Sequence, residues 1–163
     1  MGTDAPWLSA DQQRDWRALV ELLQTLPPAM DAQLKRDGGV NTYEFQVLAC
    51  LAEAPEHTLG LSDLAASARG SLSRLSHALT RLERAGWVER RSCADRSARR
   101  MEARLTESGL AKLDQVAPGH VSEARRLVVD VLTPEQLAAL GDAARAIAAA
   151  CAQEAPAECE EDC

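Results

Sequence analysis

The fold is decided by residues 61–105, LSDLAASARGSLSRLSHALTRLERAGWVERRSCADRSARRMEARL. Ser62 predicts the start of a short helix over residues 63–66, and Gly70-Ser71 marks a turn after it. A longer amphipathic helix follows and ends at Gly86. Its leucines recur at helical spacing, as one stripe expected to pack inward, at positions 72, 75, 79 and 82. A short helix, a tight turn and a longer amphipathic helix form the order of a helix-turn-helix.

A basic β-hairpin is predicted directly after this pair of helices. Trp87–Arg90 alternates as a strand does, and Met101–Leu105 can be its partner. The intervening Arg91–Arg100 is polar, basic and too long for a two-residue turn. The hairpin therefore has an extended tip and is interpreted as a wing.

Capping signals place helices before this stretch. Ser9-Ala-Asp-Gln12 is a capping box, and the helix that follows is expected to be kinked or interrupted at Pro27-Pro28 and to end near Gly38-Gly39. Asn41 with Glu44 begins a second helix that stops before Pro55, with a loop through His57 after it.

Two more helices are predicted after the hairpin. Thr106 caps a long helix that Pro118-Gly119 is expected to interrupt, and Thr133-Pro134 begins a last helix that runs toward Cys151. Residues 152–163 contain many acids and no bases, which predicts a disordered acidic tail.

The predicted fold class is mainly α with a small β-hairpin wing. Residues 41–105 form the winged helix-turn-helix lobe, and residues 8–40 and 106–151 supply dimerisation helices. The outer helices carry more apolar residues than one small lobe can cover. Partial burial between two chains is therefore expected at Leu19, Leu23, Val128, Leu137 and Leu140.

The charge distribution favours a nucleic-acid partner, although the net charge of the chain is −7. Residues 62–104 contain ten arginines against five acidic residues and have no lysine. Arginine offers a planar fork that suits phosphates and guanine edges. The acidic remainder would keep the protein soluble and repel DNA from the other faces.

The polar face of the helix over residues 72–85 and the wing are the predicted DNA-contacting surfaces. Short hydroxyl groups and cations on that helix can reach base edges in the major groove, and an arginine at the wing tip can enter a minor groove. Asp95 is expected to orient one wing guanidinium by a bidentate pair. The predicted DNA-binding residues are Ser71, Ser73, Arg74, Ser76, His77, Thr80, Arg81, Arg91, Asp95, Arg96, Arg99 and Arg100.

Other function classes receive little support. No apolar run approaches the about 18 residues of a membrane span, and no signal peptide is visible, so the expected location is the cytoplasm. No phosphate loop, metalloprotease motif, nucleophile elbow or paired-cysteine zinc motif is present, so neither catalysis nor a cofactor nor a metal is predicted.

The five cysteines are odd in number and unevenly spaced, which argues against a disulfide framework. Cys50 is interpreted as a buried small hydrophobe. Cys93 lies in the wing among cations that would depress its pKa, so it is either a reactive thiol or an incidental exposed one. Cys159 and Cys163 lack the ligand spacing of a zinc site.

Several motifs resemble the MarR family in order and spacing, over roughly residues 8–150. The wing motif followed by Leu-Thr-x-x-Gly is the specific part of the resemblance. The matching segments are Leu61–Ala66, Ser73–Ser76, Thr80–Arg90, Asp95-Arg96 and Leu105–Gly109, flanked by the Trp16 segment, Tyr43–Leu48 and Pro118–Val121.

The resemblance implies an obligate homodimer whose outer helices interlock and whose two winged lobes bind a pseudo-palindrome in double-stranded DNA. It also implies a repressor, released by a small, commonly aromatic anion or by cysteine oxidation. The chain departs from the oxidation-sensing branch, because no cysteine precedes Cys50. An aromatic ligand is therefore expected between the dimer helices and the winged lobe, near Trp16 and His120. The alternatives are a redox-sensing regulator that acts through Cys93, a winged-helix protein-interaction module that does not bind DNA, and a DNA-binding protein that activates transcription or organises DNA and does not repress.

Overall fold

The computed structural model describes residues 7–92 and 101–154 and confirms the mainly helical fold with a small antiparallel sheet. The helices are α1 Ala10–Gly38, α2 Thr42–Glu53, α3 Leu61–Ser67, α4 Leu72–Arg84, α5 Glu107–Ala124 and α6 Pro134–Glu154. The strands are β1 Thr58–Gly60, β2 Val88–Ser92 and β3 Met101–Leu105. The chain divides into two compact units after Glu123, and none of the helices described is long and apolar enough to cross a membrane.

Helix α1 begins with the predicted capping box of Ser9 and Gln12 and ends at Gly39, whose φ is 67°. Of the two outcomes expected at Pro27-Pro28, a kink or an interruption, the interruption is wrong, because α1 is one helix of 29 residues that contains both prolines. Proline in a helix removes the hydrogen bond to the carbonyl four residues earlier. The carbonyls that lose their hydrogen-bond donors belong to Leu23 and Gln24. Both residues are exposed, so water can donate to these carbonyls instead.

Helix α5 shows the same departure from expectation. It runs through Pro118-Gly119 without a break, and the Pro118 carbonyl accepts a hydrogen bond from Ser122 Oγ at 2.9 Å. Because Pro118 has no N–H, the Asp114 carbonyl four residues earlier lacks its helical hydrogen bond, and Asp114 is exposed. The predicted Thr106 cap is confirmed, since its hydroxyl accepts from the Gly109 amide at 3.0 Å.

The three strands form one sheet in the order β1-β3-β2, with every pair antiparallel. The predicted hairpin is confirmed, and its register pairs Val88 with Leu105 and Ser92 with Met101. The wing tip lies outside the described residues. Strand β1 replaces part of the expected loop, and it was not predicted because three residues are too few to show alternation. It leads directly into α3, whose N-cap is Gly60 and not the expected Ser62.

The main core lies where α2, α3 and α4 meet the sheet. The side chains buried there include Val47, Leu48, Leu51, Leu64, Leu75, Leu79, Leu82, Val88, Ala103 and Leu105. A smaller cluster joins α1 to α5 through Leu34, Val40 and Val116. One member of the predicted inward stripe is misplaced: Leu72 is 55% exposed. It is the first residue of α4, one turn before the buried Leu75, and it lies at the edge of the core.

The C-terminal unit contains a π-helical turn over Arg125–Val129 and then α6. Thr133 begins α6 as predicted, since its hydroxyl accepts from the Gln136 amide at 3.2 Å. The helix continues to Glu154, so the first three residues assigned to the acidic tail are helical. Alanine, glutamine and glutamate are good helix formers and extend the last turns.

Candidate nucleic-acid interface

Helix α4 is the second helix of the helix-turn-helix, and its outer face is polar. Ser71 is its N-cap, and the Ser71 hydroxyl accepts from the Arg74 amide at 3.2 Å. That hydroxyl therefore fixes the start of the helix. Ser73, Ser76 and His77 lie exposed on the following turns, where short polar groups can approach base edges.

Arg74 is exposed and lies over an aromatic ring from α2. Its guanidinium carbon is 4.1 Å from the centroid of the Tyr43 ring. Tyr43 is 7% exposed, and burial raises the pKa of its hydroxyl. The ring supports the cation in a cation–π contact.

Arg81 reaches from α4 to a buried carboxylate on α2. Its Nε lies 3.0 Å from Oε1 of Glu44, a side chain that is 3% exposed. The contact has the distance of an ion pair, but Glu44 Oε1 accepts no hydrogen bond within the described residues. The other oxygen, Oε2, accepts from the Asn41 amide at 2.9 Å in the cap of α2. Arg81 therefore compensates a buried charge in addition to any contact with DNA.

Thr80 is half-buried and is bonded within the chain. Its hydroxyl donates to the Ser76 carbonyl at 2.9 Å and accepts from Arg90 Nη2 at 3.1 Å. Arg90 comes from β2, so Thr80 connects the helix to the base of the wing. The structure therefore places Thr80 beside the stem of the hairpin and not on the outermost face of α4.

Arg90 also pairs with Glu83 near the end of α4. The Glu83 carboxylate accepts from the Arg90 amide at 3.0 Å and from Nε at 2.7 Å. The bond from the guanidinium, with the backbone bond and the nearby charge, holds the pKa of Glu83 below its usual range. This pair was not predicted from the sequence. The sequence pattern that could have indicated it is a carboxylate in the last turn of a helix and an arginine in the strand that follows the helix.

Of the wing residues predicted to bind DNA, only Arg91 lies in the described part of the chain. Arg91 is on β2, where its Nη2 lies 2.7 Å from Oε2 of Glu89 and both side chains are 53% exposed. An exposed pair of this kind is weak and can exchange for a phosphate. The other predicted wing residues, Asp95, Arg96, Arg99 and Arg100, lie outside the described residues, as does Cys93.

A groove of about 360 Å³ runs beside α4, between the N-terminus of α2 and the last turns of α1. Lys35, Arg74 and Arg81 give its rim positive charge. Asp31 on α1 accepts from Lys35 Nζ at 2.6 Å and from the Thr42 amide at 2.8 Å, and these bonds lower its pKa. Helix α1 is thereby connected to the helix that carries Tyr43 and Glu44.

A second polar site lies between α1, α2 and α5. The rings of His120 and Phe45 are 4.6 Å apart, and burial lowers the pKa of His120. His120 Nδ1 and Gln33 Oε1 are buried and have no hydrogen-bond partner in the part of the chain that the structure describes. Gln33 is 2% exposed, and its Nε2 donates to Asp37 at 2.9 Å. A buried carbonyl oxygen and a buried ring nitrogen, both without partners, mark this site as one where a ligand can bind.

Trp16, the other residue predicted to line an effector pocket, is 54% exposed on α1. It lies 17 positions before Gln33, or about 25 Å along the helix. Gly119 packs beside Gln33, and His120 is the next residue. The structure therefore does not bring Trp16 and His120 of one chain together.

His57 and Cys50 both contact neighbouring residues of the same chain. His57 Nδ1 is 3.0 Å from the Ala52 carbonyl, and the Cys50 sulfur accepts from Gln46 Nε2 at 3.6 Å. Cys50 is half-buried. Among residues 7–92 and 101–154, no cluster of three or more His, Cys, Asp or Glu side chains could hold a metal ion.

The chain is similar in sequence and in structure to known transcriptional regulators. The family model described as the MarR family matches residues 40–96. Sco3205, a MarR family transcriptional regulator from Streptomyces coelicolor solved in complex with DNA, is 41% identical with a TM-score of 0.84, over 90% of this chain and 91% of that one. AbsC, another from Streptomyces coelicolor, is 35% identical with a TM-score of 0.84, over 92% of this chain and 100% of that one.

Among curated proteins, the chain is similar to the HTH-type transcriptional repressor YetL of Bacillus subtilis. The two are 32% identical over 85 residues, which is 52% of this chain. The match covers 50% of the length of YetL.

Proposed function

Because the chain belongs to the MarR family of transcriptional regulators, we propose that it binds a pseudo-palindromic site in double-stranded DNA as a homodimer and represses transcription there. The observation that carries this proposal is the outer face of α4. There Ser73, Arg74, Ser76 and His77 are exposed together, within the arginine-rich part of an otherwise acidic chain. A protein of this kind acts at the chromosome, and we place it in the cytoplasm.

The dimer is proposed from apolar side chains that the helices leave exposed. On α1 these include Trp16, Leu22 and Leu23, and on α6 they include Leu140 and Ile147. Burial of such residues against a second chain stabilises the assembly in proportion to the apolar area removed from water. Two α4 helices related by a two-fold axis then meet major grooves roughly 10 bp apart.

The two DNA-contacting elements have different roles in this proposal. The side chains of α4 read base edges, while the wing residues Arg96 and Arg99 enter the minor groove and Asp95 orients one of them. Phosphate contacts by arginine release counterions and make affinity fall steeply with salt.

Selection of bound duplexes from a random pool tests this function. The expected result is an inverted repeat with half-sites one helical turn apart. Arg74→Ala should then lose discrimination at particular base pairs, by about 1–3 kcal/mol, while Arg145→Ala on α6 should bind as the wild type does. A pool that yields no inverted repeat would favour the alternative of a protein-interaction module.

The signal is proposed to be a small aromatic molecule that binds at Gln33, Phe45 and His120. A ligand hydroxyl can donate to Gln33 Oε1, a second polar group of the ligand can bond to His120 Nδ1, and the Phe45 ring can pack against an aromatic ligand. Such a ligand changes DNA affinity only by favouring one arrangement of the two α4 helices over another. A coupling of about 1–3 kcal/mol weakens DNA binding roughly 5- to 150-fold.

A panel of hydroxybenzoates tests the effector site. The wild type should release DNA with at least one member, and Gln33→Leu should respond less. Peroxide treatment provides the competing test. If peroxide abolishes binding by the wild type and spares Cys93→Ser, the thiol is the sensor and the ligand proposal is wrong.

A further inference from the structure

We propose that Tyr43 is a positioning residue for sequence reading, because its ring orients the guanidinium of Arg74 on the recognition helix. This inference rests on the proposed function of DNA binding. Tyr43 does not contact DNA in this proposal. Its effect on base discrimination passes through Arg74.

The contact differs in kind from those of the neighbouring arginines. Arg81, Arg90 and Arg91 are each paired with a carboxylate at 3.0 Å or less. Within residues 7–92 and 101–154, Arg74 has no carboxylate partner, and its guanidinium carbon lies 4.1 Å from the centre of the Tyr43 ring.

This difference decides which arginine is prepared to read a base. A carboxylate paired with an arginine occupies N–H groups of the guanidinium and neutralises its charge, so DNA must displace the carboxylate before it can bind the arginine. An aromatic ring uses only the flat face of the guanidinium and leaves the donors in its plane available. Arg74 therefore keeps its charge and its fork while its orientation is restricted, as a bidentate contact with guanine requires.

Tyr43 is confined both at its ring and at the backbone beside it. An added Cβ on Gly70 would lie 2.3 Å from Tyr43 Oη and 2.6 Å from the ring, so the turn before α4 leaves room for the tyrosine only because residue 70 is glycine. The backbone of the preceding residue is fixed as well, because the Thr42 amide donates to Asp31 Oδ1 at 2.8 Å.

The hydroxyl of Tyr43 has no hydrogen-bond partner in the described residues, although it is buried. Its removal therefore breaks no bond that the structure shows. The aromatic face is the functional part of the side chain, and this separates Tyr43→Phe, which keeps the face, from Tyr43→Leu, which removes it.

A double-mutant cycle tests the inference on the full chain. Affinity is measured for the selected duplex and for every single base-pair variant of one half-site, across a range of salt. Arg74→Ala should lose discrimination at one or two positions, roughly 5- to 150-fold. Tyr43→Leu should lose about 2- to 5-fold at those same positions, as expected for a cation–π contact.

Three further results are expected. Tyr43→Phe discriminates as the wild type does, the slope of affinity against salt is the same for Tyr43→Leu and wild type, and the double variant discriminates no worse than Arg74→Ala. Thermal unfolding identifies a variant that has lost its fold. In that case Tyr43→Met, which can refill the space, replaces Tyr43→Leu.

The inference is overturned if Tyr43→Leu retains full discrimination, if its loss adds to that of Arg74→Ala, or if its loss spreads evenly over all positions. Each of these results leaves the proposed function intact, provided that the wild type selects an inverted repeat. A wild type that selects no duplex overturns the proposed function and this inference together.

Discussion

Arg90 is bound twice by Glu83, once through its backbone amide and once through its guanidinium. The first residue is in β2, and the second is in the last turn of α4. One carboxylate therefore joins the stem of the hairpin to the end of the recognition helix. The angle between the two candidate DNA-contacting elements depends on this pair and on the Thr80 hydroxyl, which accepts from the same guanidinium.

Glu83→Gln should lower the free energy of unfolding by about 1 kcal/mol at pH 7, because it removes the charge from two hydrogen bonds in a half-buried site. Glu89→Gln is the matched control, since its pair with Arg91 is exposed, and it should change the free energy by less than about 0.5 kcal/mol. Urea unfolding measures both. Equal effects would contradict a special role for Glu83.

The same pair predicts a pH dependence. The pKa of Glu83 is lowered from its ordinary value of 4.5. Its contribution to the free energy of unfolding is therefore complete above that value and is lost as the pH falls through the folded-state pKa. The difference between wild type and Glu83→Gln should therefore shrink below about pH 4.5. A difference that persists unchanged in acid would rule out this linkage.

His120 should make the fold less stable in mild acid. Burial lowers the pKa of His120 from its ordinary 6.5, so the unfolded chain binds the proton more readily. His120 therefore leaves the free energy of unfolding undiminished above about pH 6.5, and it lowers that free energy as the pH falls toward the folded-state pKa. Thermal unfolding of His120→Gln should show a smaller decrease from pH 7.5 to pH 5.5 than the wild type. Parallel curves would show that His120 does not titrate differently in the two states.

Arg81→Ala should destabilise the fold as well as weaken DNA binding. It leaves the Glu44 carboxylate, 3% exposed, without its cation, and an unsatisfied buried group costs about 1–3 kcal/mol. Arg84→Ala, at the exposed end of the same helix, is the control and should have little effect. Denaturant midpoints should be compared before any loss of DNA affinity is attributed to a missing contact. A midpoint equal to that of the wild type would mean that Glu44 has another partner.

Leu72 should contact a thymine methyl group. It is 55% exposed at the start of α4, and residues at the N-terminal end of a recognition helix approach base edges. Replacing each thymine of the selected half-site by deoxyuridine removes one methyl at a time. One such replacement should weaken binding by the wild type and have no effect on Leu72→Ala. If no replacement distinguishes the two proteins, Leu72 is not a base contact.

The local signals in the sequence predicted most of the fold correctly. Caps at Ser9, Asn41, Thr106 and Thr133 and the alternation of the hairpin are properties of neighbouring residues, so they can be identified without the tertiary structure. Strand β1 could not be predicted, because its three residues form a strand only by pairing with β3, more than 40 positions later. The exposure of Leu72 was missed for a similar reason, since spacing predicts which face of a helix a residue lies on and not where the core ends.

The partners of the arginines were the least predictable part of the candidate interface. Composition predicted a basic face, and Arg74 and Arg81 were placed on it. What each cation contacts depends on α2, whose Tyr43 and Glu44 lie more than 30 positions earlier in the chain. Two arginines that lie two turns apart on one face of α4 therefore differ in chemistry: Arg74 is supported by a ring, and Arg81 compensates a buried carboxylate.

The prolines inside α1 divide that helix into two segments with different surroundings. Before Pro27 its side chains are mostly exposed, whereas after Pro28 it supplies the buried Gln33, Leu34 and Gly38. The two carbonyls that lack donors lie just before this boundary, where bending breaks the fewest hydrogen bonds. Amide hydrogen exchange in the isolated chain should be fast before Pro27 and slow after Pro28, because the two segments can open independently. A second chain that binds the first segment can then tilt it without unpacking the lobe to which the other segment belongs.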